Sequence, residues 1–321
     1  MTRGSGWKAA RGPDFTPRIG LASRANVDGR RALEALLGDR VVDLRDATPA
    51  WSTGTRTRIA TLAGGDRVVV QWMRDRRALG RRLRLGRMLP AVASWIPVAE
   101  VLSGDAGAGE PFQVTRFVPG ESGRALLDND EAAALLGRRM GELAAGLRRV
   151  PTRGLRLSTR WADPVRLAAA GRRWLADARP VLGAEDAAAM GPLLERVPAE
   201  LGGATPVFAH GDLAPVNVLV RGGAVVALLD LERSRVAHPL FDAAWWRWIV
   251  RQHHPERWDA AAPAFFAAAG LPLDVATVAR LHLLAALQLL EMLRDTPRRQ
   301  SATRAEWAAR LTTELRRQPR A

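Results

Sequence analysis

The 321-residue chain has no cysteine and no tyrosine, and Lys8 is its only lysine. Without cysteine there is no disulfide framework, no thiolate zinc site and no thiol nucleophile. The first twenty residues contain no apolar core of signal-peptide length, and no run of about 18 apolar residues occurs anywhere. A cytoplasmic protein with no membrane partner is therefore expected. Lysines and arginines number 48 against 33 acidic residues, a net charge of +15. Nearly all the cations are arginine, and the excess of arginine and alanine fits a biased genome as readily as a selected surface. The densest cluster is Arg74, Arg76, Arg77, Arg81, Arg82, Arg84 and Arg87, in which 74, 77, 81 and 84 follow helical spacing along one face. No aromatic residues interleave there and no nucleic-acid module is recognisable, so a solvated face is expected in preference to a nucleic-acid site.

At 47% apolar residues the chain can bury a large core and divide it between two lobes. Residues 1–30, rich in Gly, Arg and Pro, read as a flexible N-terminal segment. A short helix over Arg31–Leu37 precedes strands at Val41–Leu44, Thr57–Leu62 and Arg67–Trp72, with a Gly64-Gly65-Asp66 turn between the last two. Arg76–Val92 reads as a helix, Val98–Leu102 and Phe112–Phe117 as further strands. From Asp130 the pattern is helical: Glu131–Arg149, Pro164–Ala178, Glu185–Val197, Phe241–Val250, Arg257–Ala269, Val275–Arg294 and Arg304–Arg317.

The most informative segment is Val207–Asp242. Val218–Val220 and Ala224–Leu229 are apolar, β-branched runs separated by Arg221-Gly222-Gly223, where glycine supplies the positive φ of a tight hairpin. A two-residue loop at Gly222-Gly223 sets Asn217 opposite Leu228, so that Asp230 returns within a side chain's reach of Asn217. A hard cation can bridge two such oxygens: Mg²⁺ takes ligands at about 2.0–2.1 Å from one or two protein groups, with phosphates and waters completing the shell. Asp212, five residues before Asn217, is then free to accept a proton from an attacking hydroxyl.

His210-Gly211-Asp212-Leu213, Asn217 and, after the hairpin, Leu229-Asp230-Leu231-Glu232 together resemble the catalytic and metal loops of the protein-kinase-like superfamily. The His-Gly-Asp-Leu form, with His238-Pro239-Leu240-Phe241-Asp242 close behind, is similar to the aminoglycoside phosphotransferase family of small-molecule kinases. That resemblance implies an α+β, two-lobed protein-kinase-like fold, with a small antiparallel-sheet N-lobe and a mainly helical C-lobe. It divides the chain into 1–30, a nucleotide-binding N-lobe at 31–118 and a catalytic and substrate-binding C-lobe at 119–321, with Val118-Pro119-Gly120-Glu121 as the hinge. It implies ATP or GTP as co-substrate and a small-molecule hydroxyl as acceptor. It further implies Asp212 as base, Asn217 and Asp230 as Mg²⁺ ligands, and Asp242 as the buttress of the catalytic loop. His210 is placed beside Asp212 in an orienting role. His238 departs from the family's Asp.

The N-lobe departs further. In the superfamily a cation on the third strand holds the phosphates and pairs with a Glu on the next helix. Aligning Val68–Gln71 with that strand puts Gln71 at the cation's position, and counting back from Leu89-Pro90 puts Leu85 where the Glu belongs. A joint loss is physically consistent, because a Glu facing inward without its cation is a desolvated, unpaired charge. Two readings follow: the phosphates are held by another group, with Arg56 and Arg58 as candidates, or the chain is a non-catalytic kinase-like binding protein. The phosphate loop, Thr48–Thr55, carries one glycine, and Ser52 and Thr53 are its candidate phosphate donors. Adenine would pair with backbone groups near Arg116 and Val118. For the substrate, an antibiotic such as an aminoglycoside or an amino-alcohol metabolite, candidate carboxylates are Asp163, Glu291 and Asp295, with Trp161 as a stacking surface. Trp245 and Trp248 read as core.

Overall fold

A computed structural model describes residues 33–47, 55–106 and 110–317. A short helix, α1 (33–37), leads into β1 (Val41–Asp46), β2 (Thr55–Leu62) and β3 (Arg67–Met73). The turn at Gly65 has φ +89°, a conformation that glycine adopts without strain. Next come α2 (Arg76–Val92), β4 (Val101–Asp105) and β5 (Phe112–Arg116), which complete a five-stranded antiparallel sheet ordered β1-β2-β3-β5-β4. Asp75 starts α2 by accepting the backbone N–H groups of Arg77 and Ala78 on one carboxylate oxygen. Arg74, Arg77, Arg81 and Arg87 are exposed, and Arg82 is buried. Leu33, Val41, Ala60, Val68, Val70 and Val114 form the sheet's own core.

β6 (Glu121–Ser122) follows the hinge segment and opens a mainly helical lobe. Its helices are α3 (Asp130–Arg148), α4 (Pro164–Leu182), α5 (Ala184–Leu201), α6 (Phe241–His253), α7 (Trp258–Ala269), α8 (Val275–Asp295) and α9 (Ser301–Arg316). Between them run β7 (Ser158–Trp161), β8 (Val207–Ala209), β9 (Val218–Arg221), β10 (Ala224–Leu228) and β11 (Arg235–Ala237). α3 crosses α7 closely, because Gly137 and Gly141 leave room where a Cβ would lie 2.3 Å from the Ala261 and Phe265 carbonyl oxygens. By length and composition α8 could cross a membrane, but 72% of that apolar window is buried inside the fold, where it forms much of the core.

The architecture is the two-lobed α+β arrangement, with differences of detail. Residue 98 was expected in a strand; instead Val98 makes an isolated parallel bridge to Leu228, and the Leu228 N–H donates to the Pro97 carbonyl at 2.6 Å, while β4 begins at Val101. β7 and β8 flank β11 in a small sheet that sequence periodicity did not suggest. The hairpin register also shifts: a bulge at Val226 pairs Leu228 with Val218, and the Leu229 N–H donates to the Asn217 carbonyl at 2.8 Å. Asn217 therefore faces Leu229, not Leu228, and Asp230 is its immediate neighbour across the hairpin.

Candidate active site

The segment that carries His210, Asp212 and Asn217 lies between β8 and β9 and is fixed by α6. Asp242, in the first turn of α6 and buried, accepts the His210 N–H at 2.8 Å on one carboxylate oxygen and the Gly211 N–H at 2.9 Å on the other. Burial pushes its carboxyl above the ordinary range, and those two N–H groups, together with the His210 ring, pull it back. Gly211 sits at φ +87°, and a Cβ there would lie 2.2 Å from the Arg233 carbonyl oxygen, so the loop packs against the segment after Asp230 with no room for a side chain.

His210 is fully buried. Its Nε2 lies 2.8 Å from the Leu229 carbonyl and its Nδ1 accepts the Asp212 N–H at 3.3 Å. The ring thus ties the loop to the end of β10, and both nitrogens are committed. Asn217 donates its side-chain N–H to the Asp212 carbonyl at 2.8 Å, which leaves its amide oxygen as the remaining acceptor. Trp245, one turn beyond Asp242, donates its indole N–H to Asp212 Oδ1 at 2.6 Å. Reading Trp245 as core alone missed this contact, although its ring is buried and stacks on Trp248. The spacing was the available signal: positions i and i+3 on a first turn face one way, and Asp242 already pointed at the loop.

Asp230 adopts the left-handed conformation, φ 60° and ψ 56°, which is uncommon for a residue with a side chain and occurs at sites the surrounding structure over-determines. Its side chain keeps 38% of its surface open to the cleft. Desolvation raises its carboxyl above the ordinary range, Arg82 opposes this, and the nearby Glu232 and Asp212 carboxylates add to it. Asn217 and Asp230 are thus brought together with Asp212 close by. One amide oxygen and one carboxylate form the sparse oxygen set that Mg²⁺ accepts when phosphates supply further ligands. Among the described residues no group of three or more His, Cys, Asp or Glu side chains could hold a metal without such help.

Asp230 opens onto a cleft of about 450 Å³ between the sheet and the helical lobe. Gln71, Arg116 and Val118 line it, with Thr57 and Ile59 of β2. Ser52 and Thr53 lie outside the described residues. Arg56 and Arg58 do not line this cleft: successive strand residues face opposite ways. Arg56 pairs with Glu110 and covers Trp72, and Arg58 bonds Asp46. Leu85 is fully buried in the helical-lobe core with Leu89, so it does not occupy the helix position facing Gln71. That position is Arg82, one turn earlier, which lines the cleft together with Gly86. Its guanidinium donates to Gln71 Oε1 at 3.0 Å and reaches Asp230 Oδ1 and Glu232 Oε2 at 2.8 Å each.

Most of the expected substrate groups are committed elsewhere. Asp163 caps α4, accepting the Val165 and Arg166 N–H groups at 3.0 Å. Trp161 is 2% exposed and packs edge-on against Phe241, so it presents no face for stacking. Its indole donates to Glu291, which is itself buried and bonded to Arg235 at 2.6 Å. Burial works to raise the Glu291 carboxyl, but Arg235, Trp161 and Arg233 outweigh it and hold the group below its usual range. Asp295 is partly exposed and pairs with Arg294 at 2.7 Å. It lines a separate pocket of about 270 Å³ with Arg81, Arg160 and Arg233.

Residues 46–273 match the model of the phosphotransferase enzyme family. No curated protein matches the chain in sequence. Similar solved structures include the apoenzyme of macrolide 2'-phosphotransferase MphH from Brachybacterium faecium, 20% identical, with a TM-score of 0.67 over 89% of this chain and 98% of that one. The GDP complex of aminoglycoside 2'-phosphotransferase-IIIa is 14% identical, with a TM-score of 0.73 over 90% and 98%. A thermostable mutant of aminoglycoside phosphotransferase APH(4)-Ia, in ternary complex with AMP-PNP and hygromycin B, is 16% identical, with a TM-score of 0.68 over 90% and 98%.

Proposed function

From the premise that the chain belongs to the phosphotransferase enzyme family, we propose that it transfers the γ-phosphoryl group of ATP or GTP to a hydroxyl of a small molecule, with Asp212 as the base. The observation that carries this reading is the state of Asp212. Its backbone is clamped through Asp242, His210 and Asn217, and one carboxylate oxygen is held by Trp245, which leaves the other to take a proton. In the reaction the acceptor oxygen bonds the γ-phosphorus, the bond from that phosphorus to the bridging oxygen breaks, and the hydroxyl proton passes to Asp212. Asn217 and Asp230 are the residues that would hold Mg²⁺, which neutralises charge on the phosphate oxygens when bound. The nucleotide would occupy the cleft under the sheet, with Arg116 and Val118 at its hinge edge.

The acceptor is read as an antibiotic hydroxyl, supported by the macrolide and aminoglycoside phosphotransferases of the same fold. The commitment of Asp163 and Glu291 to internal partners counts against a polycation held by those carboxylates and favours a substrate of lower charge. The experiment is nucleoside diphosphate release from ATP and GTP in the presence of macrolides, aminoglycosides and amino alcohols. An acceptor-dependent rate is expected in the wild type, and Asp212→Asn should lower kcat by about 10²–10⁴ while the melting temperature holds. Acceptor-dependent turnover that survives in Asp212→Asn removes Asp212 as the base, and no turnover with any acceptor favours the kinase-like binding protein.

A further inference from the structure

The strand position that carries a cation in the superfamily is Gln71 here, yet the cleft does not lack a cation. Among the described residues that line it, the cations are Arg82 and Arg116. Arg116 lies at the hinge edge, about half exposed and paired with Glu100. Arg82 is 5% exposed, on the α2 face that meets the cleft. We propose that Arg82 holds the phosphates of the bound nucleotide, the strand cation having been replaced by a helix cation.

Hydrogen-bond polarity carries the argument. Gln71 turns its side-chain oxygen, not its nitrogen, toward the helix: Oε1 accepts from Arg82 Nη1 at 3.0 Å and from Gln113 Nε2 at 2.5 Å, while Nε2 donates to Thr57 at 3.3 Å. Strand and helix have exchanged roles, acceptor on β3 and donor on α2. Glu232 grips the other side of the guanidinium, Nε at 3.0 Å and Nη2 at 2.8 Å. Gln71 and Glu232 thus fix the planar fork from both edges, and the same Nη2 reaches Asp230 Oδ1 at 2.8 Å. Two carboxylates face one guanidinium, so the cluster is net negative until Asp230 serves a cation. The Nη2 donor shared with Asp230 is the one for which phosphate oxygens compete. A guanidinium presents several donors in a fixed plane, geometry that suits phosphate oxygens.

This inference rests on the nucleotide cleft proposed above, and its test separates the two. ATP, GTP, adenosine and guanosine are titrated calorimetrically, with Mg²⁺, into the wild type, Arg82→Met, Arg82→Glu and the double variant Gln71→Lys/Arg82→Glu, with melting curves as the check on folding. The proposal expects Arg82→Met to weaken the triphosphate by about tenfold or more, as for a lost charge-assisted hydrogen bond, and to leave the matching nucleoside unchanged. The double variant, with cation returned to the strand and carboxylate to the helix, should recover most of the triphosphate affinity that Arg82→Glu loses. Undiminished triphosphate binding by folded Arg82→Met overturns the proposal, as does an equal loss of triphosphate and nucleoside. A double variant no better than Arg82→Glu does the same. A wild type that binds neither nucleotide nor nucleoside overturns the cleft reading, and the role of Arg82 with it.

Discussion

Asp242→Ala should destabilise the protein and disable it together. The carboxylate satisfies two backbone N–H groups, those of His210 and Gly211, in a place that water does not reach. Leaving two buried donors unpaired costs about 4 kcal/mol, taking about 2 kcal/mol for each. Removing a desolvated charge, which burial already disfavours, offsets about 1 kcal/mol of that, so the net loss is about 3 kcal/mol. Unfolding entropy of about 2.1 cal/mol/K per residue gives about 0.7 kcal/mol/K for this chain, and hence a fall of about 4–5 °C in Tm. Differential scanning calorimetry measures the fall, and Asp242→Asn, which keeps one acceptor, should lie between the two proteins. Because the freed N–H groups precede Asp212 directly, kcat should drop by at least about a hundredfold. An Asp242→Ala protein that melts within 1 °C of the wild type, or keeps its kcat, would refute the assignment of Asp242 as the buttress.

Trp245→Phe keeps the ring stack but removes the donor to Asp212 Oδ1, and kcat should fall about ten- to hundredfold at unchanged nucleotide affinity, the cost of a hydrogen bond to a charged group; steady-state kinetics would show it, and an unchanged kcat would return Trp245 to a packing role. Burial first, then Arg280, holds the His238 imidazole down to about 4, and burial holds His253 at a similar value. Between that value and the unfolded pKa of about 6.5 the unfolded chain binds protons that the folded chain does not, so stability is present above 6.5 and is lost as pH falls toward 4. His238 Nδ1 accepts the Leu240 N–H at 3.1 Å, a bond that protonation opposes. His238→Asp puts an acceptor that stays ionised through most of that range at the same position, and its Tm should decline less than that of the wild type between pH 6.5 and 4.5; parallel declines would exclude His238 as a source of the acid sensitivity.

The convergence of Asp212, Asn217, Asp230 and Asp242 was legible because these residues sit on short spacings around one loop and one hairpin, where local geometry decides who meets whom. Even there a bulge at Val226 moved the register by one residue, since nothing in an apolar β-branched run marks which residue is extra. Arg82 was not legible as the cleft cation. α2 is buried on several sides, with Leu85 and Leu89 in the helical-lobe core, Ala78, Leu79 and Leu83 packed with Met73, and Arg82 and Gly86 at the cleft, and helical periodicity alone does not say which of these faces the cleft. Glu291 and Trp161 misled for a related reason. A carboxylate and an indole far apart in sequence look available until the fold bonds them to each other, adds Arg235 on the second carboxylate oxygen and buries all three.

The most direct test of the account is the Mg²⁺ dependence of nucleotide binding in the wild type and in Asp230→Ala, read as a thermal shift with ATP and with GTP. Ligand at 100 times its Kd stabilises a fold by about 2.7 kcal/mol, a shift of about 4 °C for this chain. The account predicts a shift with at least one nucleotide that grows with Mg²⁺ in the wild type and is insensitive to Mg²⁺ in Asp230→Ala. A wild type that shifts with neither nucleotide, or an Asp230→Ala protein that responds to Mg²⁺ as the wild type does, would contradict it.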